Sequence, residues 1–175
     1  MLRAPLVVAP TGLGPRLSGL AFKAVDEGDE LQIGPVTVRA THAEHDGGRP
    51  PFGEGPALGF AILGSSRVFF AGDTDLFDAM DGLVPNLDLA LVPIWGWGAT
   101  LGRGKHLDPE RAAEAVRRLA PKVAVPIHWG TYRPAHRRAN AWFLTKPVDE
   151  FAEAAARVAP DVEVRVLRPS QAFEL

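Results

Sequence analysis

The sequence predicts an α/β (α+β) fold in which helices cover a mixed sheet. In the first half of the chain, short apolar or alternating runs are separated by turns rich in glycine and proline, a pattern typical of strands and hairpins. In the second half, segments with strand and helix patterns alternate to the end. That order favours strands joined by helices. The 175 residues contain no internal repeat or linker, so we expect one domain over residues 1–175.

Two hairpins dominate the first half. A turn at residues 34–35 separates two strand-like runs, and in the second run Val36, Val38 and Ala40 alternate with polar residues. A turn at residues 64–66 separates another pair of runs. The elements predicted here are a buried strand at residues 6–9, a short helix at 12–20, and hairpin strands at 30–34, 36–41, 57–63 and 68–71.

The two longer helices belong to the second half. Asp108 can cap a helix, Pro109 suits its first position, and Pro121 ends it. A second helix, over residues 147–159, carries apolar residues at helical spacing. Buried strands are predicted at 87–94 and 123–127, and an alternating closing strand at 162–167.

Composition excludes several classes of function. Lys and Arg total 19 and Asp and Glu total 21, so the formal net charge of −2 gives no basic footprint for nucleic acid. No apolar run approaches the roughly 20 residues needed to cross a bilayer, and the first residues do not form a signal peptide, so we expect a cytoplasmic protein. Because the chain has no cysteine, a metal would have to bind His, Asp or Glu.

Three residues that could bind a metal or take part in catalysis follow predicted strands. His45 comes after residues 36–41, Asp73 follows residues 68–71 through Gly72, and His128 comes directly after residues 123–127. Strand ends suit ligands because the sheet fixes the backbone while the loops leave room for substrate. Each residue also has a structural interpretation. Asp73 could cap a helix that begins near residue 75, and His128 could be a packed core histidine.

The segment around His45 leaves two interpretations open. His42, Glu44, His45 and Asp46 lie within five positions and could form a local metal cluster, or they could simply begin a polar loop. His42 also competes with His45 for any role as a ligand, and we prefer His45.

The remaining polar candidates divide into two groups. His106 precedes the predicted helix at Asp108 and is either a functional residue or a residue that merely flanks the helix. Asp75, Asp78 and His136 are predicted to be solvated.

These pieces, in this order, resemble the metallo-β-lactamase-fold hydrolases. Within that superfamily the chain is most similar to the branch of ascorbate-6-phosphate lactonase-like and N-acyl-phosphatidylethanolamine phospholipase D-like proteins. The match runs from about residue 5 to the end and implies an αββα sandwich. The matching segments are Ala43-Glu44-His45, Ala71-Gly72-Asp73-Thr74, His106-Leu107-Asp108-Pro109-Glu110-Arg111-Ala112 and Pro126-Ile127-His128-Trp129-Gly130-Thr131.

The resemblance also implies a role for each site residue. His45 would be a ligand of a first metal ion, His128 a ligand of a second, and Asp73 a carboxylate shared between the two metals and part of the catalytic machinery. His106 would be a catalytic histidine above the substrate. One or two zinc ions are expected, with a small molecule as substrate and hydrolysis of an ester, lactone or phosphodiester as the reaction.

One departure from the family is evident. The signature His-x-His-x-Asp-His, which supplies four of the family's seven ligands, does not occur among these residues. The sequence therefore resembles an N-terminally truncated, C-terminal portion of the fold with an incomplete metal site, and an exposed apolar face and strand edge are expected. The alternative is a non-catalytic remnant domain that binds a ligand or partner. Association into a homo-oligomer is compatible with either.

Overall fold

The computed structural model describes residues 6–13, 19–45, 56–95, 106–130, 142–168 and 170–175. Within these ranges the chain forms a seven-stranded sheet, a separate two-stranded sheet and two α-helices. The predicted mixed sheet with covering helices is therefore confirmed. None of the helices described is long and apolar enough to cross a membrane.

The strand order of the larger sheet follows the order of the chain, from β3 to β9. Strands β3 to β6 pair antiparallel, and β6 to β9 pair parallel. Its strands are β3 (Glu30–Ile33), β4 (Val36–His42), β5 (Leu58–Leu63), β6 (Arg67–Phe70), β7 (Leu89–Pro93), β8 (Val123–Ile127) and β9 (Glu163–Val164).

The smaller elements flank this sheet. Strands β1 (Leu6–Pro10) and β2 (Ala21–Val25) pair parallel to form the two-stranded sheet. A short 3₁₀ helix, Asp78–Met80, lies between β6 and β7, and the α-helices are α1 (Pro109–Leu119) and α2 (Trp142–Val158).

Both predicted hairpins are present, but several other elements differ from the predictions or were not predicted. The helix predicted over 12–20 falls partly on residues outside those described, and β2 was not predicted at all. The closing strand is only Glu163–Val164, where residues 162–167 were predicted. Helix α2 begins at Trp142 rather than at Pro147, which lies inside the helix and is fully buried. No α-helix begins near residue 75, where the chain has only the 3₁₀ turn.

The main core lies between the sheet and the two helices. Asp108 caps α1 by accepting a hydrogen bond from the Arg111 backbone N–H at 2.9 Å, as the sequence predicts. Small side chains on both helices are fully buried, which lets α1 and α2 pack closely against each other. These are Ala112, Ala113 and Ala115 on α1, and Ala154 and Ala155 on α2.

The opposite face of the sheet is only partly covered by the residues described. Phe69 is fully buried on the helix side, whereas its neighbour Phe70 is 41% exposed and Ile62 is 37% exposed. A second, smaller core of Val25, Ala40 and Leu58 joins the two-stranded sheet to β4 and β5. The apolar face expected from a missing first sheet stays a prediction.

Gly72 turns the chain sharply after β6. Its φ of +66° lies in the left-handed region, and a Cβ atom there would sit 2.9 Å from the carbonyl oxygen of Leu58. Only glycine satisfies both constraints without strain. The close approach of the two backbones fixes where Asp73 leaves the sheet.

We predict that Gly72→Ala lowers the free energy of unfolding by about 2–4 kcal/mol, because backbone strain and a backbone clash add. Gly82→Ala is the matched control. Gly82 has a φ of +67°, but a Cβ atom added there would have no other atom within 4 Å. The control should lose only about 1–2 kcal/mol. Urea denaturation of the three proteins measures both values, and equal losses would contradict the role given to the Leu58 contact.

Candidate metal centre

Four polar side chains meet at one edge of the larger sheet. Strands β4, β6, β7 and β8 all run in the same direction, because β4 and β6 are each antiparallel to β5. Their carboxyl ends therefore lie at the same edge. Asp73 follows β6, His128 follows β8, His45 comes three residues after the end of β4, and His106 stands just before α1.

The distances between these four side chains are short. The Nε2 atoms of His45 and His106 are 3.4 Å apart, and their ring centroids are 4.7 Å apart. Donor atoms of His45, Asp73 and His106 all lie within 4.8 Å of one another. Asp73 Oδ1 is 3.6 Å from His128 Nε2, and the His128 ring stacks on His106 with centroids 5.6 Å apart. We call these four residues the histidine–aspartate cluster.

The donor set of this cluster fits a divalent metal ion. Imidazole nitrogens and carboxylate oxygens are ordinary ligands of catalytic zinc. Two nitrogens bound tetrahedrally at about 2.05 Å would be about 3.3 Å apart, close to the separation of the His45 and His106 Nε2 atoms. The Asp73 side chain is 49% exposed, so the cluster opens to solvent on that side.

His128 adopts an unusual backbone conformation. Its φ of +62° is in the left-handed region, which is uncommon for residues other than glycine, although histidine adopts it more often than most. Such strain is commonly found at functional sites, where the surrounding structure enforces it. The side chain is partly exposed rather than packed in the core, so the interpretation as a core histidine does not describe it.

The backbone around the cluster is joined by hydrogen bonds through residue 74. The Glu44 N–H donates to Thr74 Oγ1 at 2.9 Å, and the Leu107 N–H donates to the Thr74 carbonyl at 2.9 Å. The Asp75 N–H donates to the Glu44 carbonyl at 2.8 Å. The sequence analysis did not identify Thr74 as a site residue. The only local signal for it was its place in the Gly72-Asp73-Thr74 segment.

Asp75 was predicted to be solvated, and that prediction is wrong. Its side chain is only 4% exposed, and its Oδ1 atom lies 2.7 Å from both Nε and Nη2 of Arg111. The same oxygen accepts a hydrogen bond from the Leu76 N–H at 2.8 Å. Arg111 reaches it from the first turn of α1, a contact between distant segments of the chain. Asp78 is exposed, as predicted.

His42 stands apart from the cluster. Its Nδ1 lies 3.0 Å from Glu27 Oε2, and its Nε2 lies 3.3 Å from Glu44 Oε2. Because carboxylates occupy both ring nitrogens, this geometry favours His45 over His42 as a ligand. It also gives no support to a local site built from residues 42–46. Asp46 and His136 lie outside the residues described.

The pKa values of His106 and His42 shift in opposite directions. Burial lowers the pKa of His106, assisted by the neighbouring imidazole of His45, while Asp73 opposes the shift. The neutral ring is the form that can bind a metal or accept a proton. Its Nδ1 atom is buried and has no hydrogen-bond partner among the residues described. Partial burial also disfavours the charged form of His42, but Glu27 and Glu44 together outweigh burial and raise its pKa.

Comparison with known proteins identifies the family. Residues 6–129 match the family model described as the beta-lactamase superfamily domain. The chain belongs to the beta-lactamase superfamily. Among solved structures, the superfamily fold recurs in Igni18, a metallo hydrolase from Ignicoccus hospitalis, with a TM-score of 0.69 and 24% identity over 97% of this chain and 68% of that one. YhfI from Bacillus subtilis, a metallo-beta-lactamase fold protein, gives a TM-score of 0.66 and 16% identity over 93% of this chain and 62% of YhfI.

The superfamily relatives similar in sequence are longer than this chain. A UPF0173 metal-dependent hydrolase of Symbiobacterium thermophilum is 38% identical over 144 residues, which are 79% of this chain and 55% of the relative. A UPF0173 protein of Pyrococcus furiosus is 31% identical over 153 residues, 87% of this chain and 61% of the relative. The chain therefore spans about three fifths of these relatives or less. The resemblance to the metallo-β-lactamase fold is confirmed, whereas the narrower branch stays a prediction.

We predict that Arg111→Met lowers the free energy of unfolding by about 1–3 kcal/mol, because it leaves the buried Asp75 carboxylate without its cation. Arg157→Met is the control. Arg157 pairs with Glu110 at 2.8 Å, but both side chains are more than half exposed. It should cost at most about 1 kcal/mol. Chemical denaturation measures both, and similar losses would contradict the importance of the buried pair.

We also predict a pH-dependent contribution from His42. Because its pKa is raised in the folded chain, the stabilisation is fully present below the unfolded pKa of 6.5 and is lost as pH rises through the folded pKa. His42→Gln should therefore lower stability by less than about 1 kcal/mol near pH 6 and have little effect near pH 8.5. Glu27→Gln should reduce the same pH dependence. Urea denaturation at the two pH values measures the effect, and a larger loss at the higher pH would reverse the predicted sign.

Proposed function

We propose that the histidine–aspartate cluster is the metal site of a hydrolase that acts on an ester, lactone or phosphodiester of a small molecule. The observation that carries the proposal is the convergence of His45, Asp73, His106 and His128, from four separate segments, at the carboxyl edge of the sheet. The metal-dependent hydrolases among the relatives support it. Since the chain spans less than two thirds of these relatives, the activity of the whole protein is part of the proposal.

Asp73 has the central position in the proposed site. Its carboxylate is within 4.8 Å of donor atoms of His45 and His106 on one side and 3.6 Å from His128 Nε2 on the other. This placement supports a carboxylate shared by two zinc sites, with His45 in the first and His128 in the second. A zinc ion bound there would supply a water with a pKa near neutrality and would polarise a carbonyl or phosphoryl oxygen of the substrate.

His106 is proposed as the catalytic histidine. Its lowered pKa keeps the ring neutral near pH 7, so that Nε2 can hold or transfer a proton at the substrate. The 3.4 Å separation from His45 Nε2 also fits a role as a further metal ligand. As a ligand, His106 should affect zinc affinity as much as His45 does, whereas as a catalytic group it should affect mainly the rate of hydrolysis.

A second candidate function is a non-catalytic domain that binds a ligand or a partner. The observation that favours it is the lack of His-x-His-x-Asp-His among the 175 residues, which leaves few ligands for two metal ions. A folded chain that binds no zinc would support this second function.

We predict that the chain binds zinc and that His45→Gln, Asp73→Asn or His128→Gln weakens its affinity at least about 10–100-fold, the loss typical for a single ligand or its hydrogen-bonded support. His42→Gln is the matched control, since this histidine lies in the same segment as His45 but contacts Glu27 and Glu44 instead of the cluster. The zinc affinity of the His42→Gln variant should equal that of the unsubstituted chain. Competition with a chromophoric chelator measures the affinities.

Folding of every variant is checked by circular dichroism, and hydrolysis is screened with ester, lactone and phosphodiester substrates in the presence of zinc. Equal zinc affinity in all variants, or a folded parent chain without zinc affinity, would contradict the proposed site.

A further inference from the structure

Thr74 is a buried polar residue whose hydroxyl and carbonyl groups both take part in hydrogen bonds. The residue has no solvent exposure. Its hydroxyl accepts from the Glu44 N–H at 2.9 Å and donates to the Asp75 carbonyl at 2.8 Å. Its own carbonyl accepts from the Leu107 N–H at 2.9 Å. Burying a hydroxyl group without hydrogen bonds is costly in free energy. The Thr74 hydroxyl is therefore restricted to positions that keep both of its bonds.

The contacts of Thr74 reach the neighbours of three residues in the histidine–aspartate cluster. Glu44 immediately precedes His45, Leu107 immediately follows His106, and Thr74 itself follows Asp73. Each of these three donor residues is therefore one peptide unit away from a hydrogen bond of Thr74. The bridge between Glu44 and Asp75 adds a second link on the His45 side.

We propose that Thr74 is the positioning residue that holds His45 and His106 against each other beside Asp73. Its hydroxyl fixes the segment that carries His45, and its carbonyl fixes the segment that carries His106. The consequence for metal affinity rests on the proposed function, but the arrangement of the two imidazoles does not. Because hydrogen bonds that orient ligands are worth one to two orders of magnitude in metal affinity, the effect is measurable.

Thr41 provides a matched control in the same chain. It is also buried, at 3% exposure, but its hydroxyl has no hydrogen-bond partner among the residues described. It lies on β4 opposite Gly59. Thr→Val replaces a hydroxyl by a methyl group of similar size at both positions. Only at residue 74 does the substitution remove bonds to segments that carry the cluster.

The first experiment uses nuclear Overhauser effects between histidine ring protons in the metal-free chain. The rings of His45 and His106 have centroids 4.7 Å apart, so the unsubstituted chain should show a cross-peak between them. We expect the cross-peak to be lost or strongly weakened in Thr74→Val and retained in Thr74→Ser and Thr41→Val. An unchanged cross-peak in Thr74→Val, or none in the unsubstituted chain, would overturn the proposal.

The second experiment measures zinc affinity of the same four proteins by chelator competition. Thr74→Val should bind zinc about 10–100-fold more weakly, while Thr74→Ser and Thr41→Val should match the unsubstituted chain. Rescue by serine separates positioning from a general loss of stability. Equal affinity in Thr74→Val would overturn the proposal. If the unsubstituted chain binds no zinc, the proposed function fails, and the ring cross-peaks alone decide the role of Thr74.

A third measurement serves if Thr74→Val does not fold. In the unsubstituted chain, hydrogen exchange of the Glu44 and Leu107 amides should be slow and should occur in a common opening, since both donate to Thr74. Exchange of the two amides with the same protection supports the proposal. Fast exchange of either amide, at the rate of an exposed loop, would overturn it.

Discussion

The shared direction of β4, β6, β7 and β8 is the constraint on which the candidate site depends. Because β5 is antiparallel to both β4 and β6, these two strands run parallel although they belong to consecutive hairpins. The residues that follow them reach the same edge as the residues after β8. A single strand running the other way would send Asp73 or His128 to the opposite edge. The chemistry proposed for the cluster therefore depends first on the sheet topology, which brings these residues to the same edge.

The parts of the fold that sequence could predict are those with local causes. The turn at Gly34, the cap at Asp108 and the strands ending before Asp73 and His128 each rest on a few adjacent residues. Contacts between distant segments were not predictable. Asp75 looked solvated because Arg111, its buried partner, lies 36 positions further along the chain. The same holds for Thr74, whose bonds reach backward to residue 44 and forward to residue 107.

The choice between His42 and His45 shows the limit of pattern reasoning at a site. Both histidines lie in one short segment with two acids, and spacing alone does not separate them. Their positions relative to the end of β4 do separate them. His42 is the last residue of β4, still paired with Leu58, and carboxylates flank its ring. His45 lies beyond the strand, where the bridge between Glu44 and Asp75 carries the chain to the cluster.

The charge of each group at the histidine–aspartate cluster matches the extent of its burial. Burying an unpaired charge is costly, whereas a neutral imidazole is buried at a smaller cost. Burial lowers the pKa of His106, which favours its neutral form, while the Asp73 side chain keeps about half of its surface exposed. The fully buried carboxylate nearby, Asp75, has Arg111 as its partner. Among the residues described, the buried carboxylate at this edge is therefore paired with a cation. Donor atoms that the fold holds close together reduce the ordering that binding of a metal would otherwise have to impose.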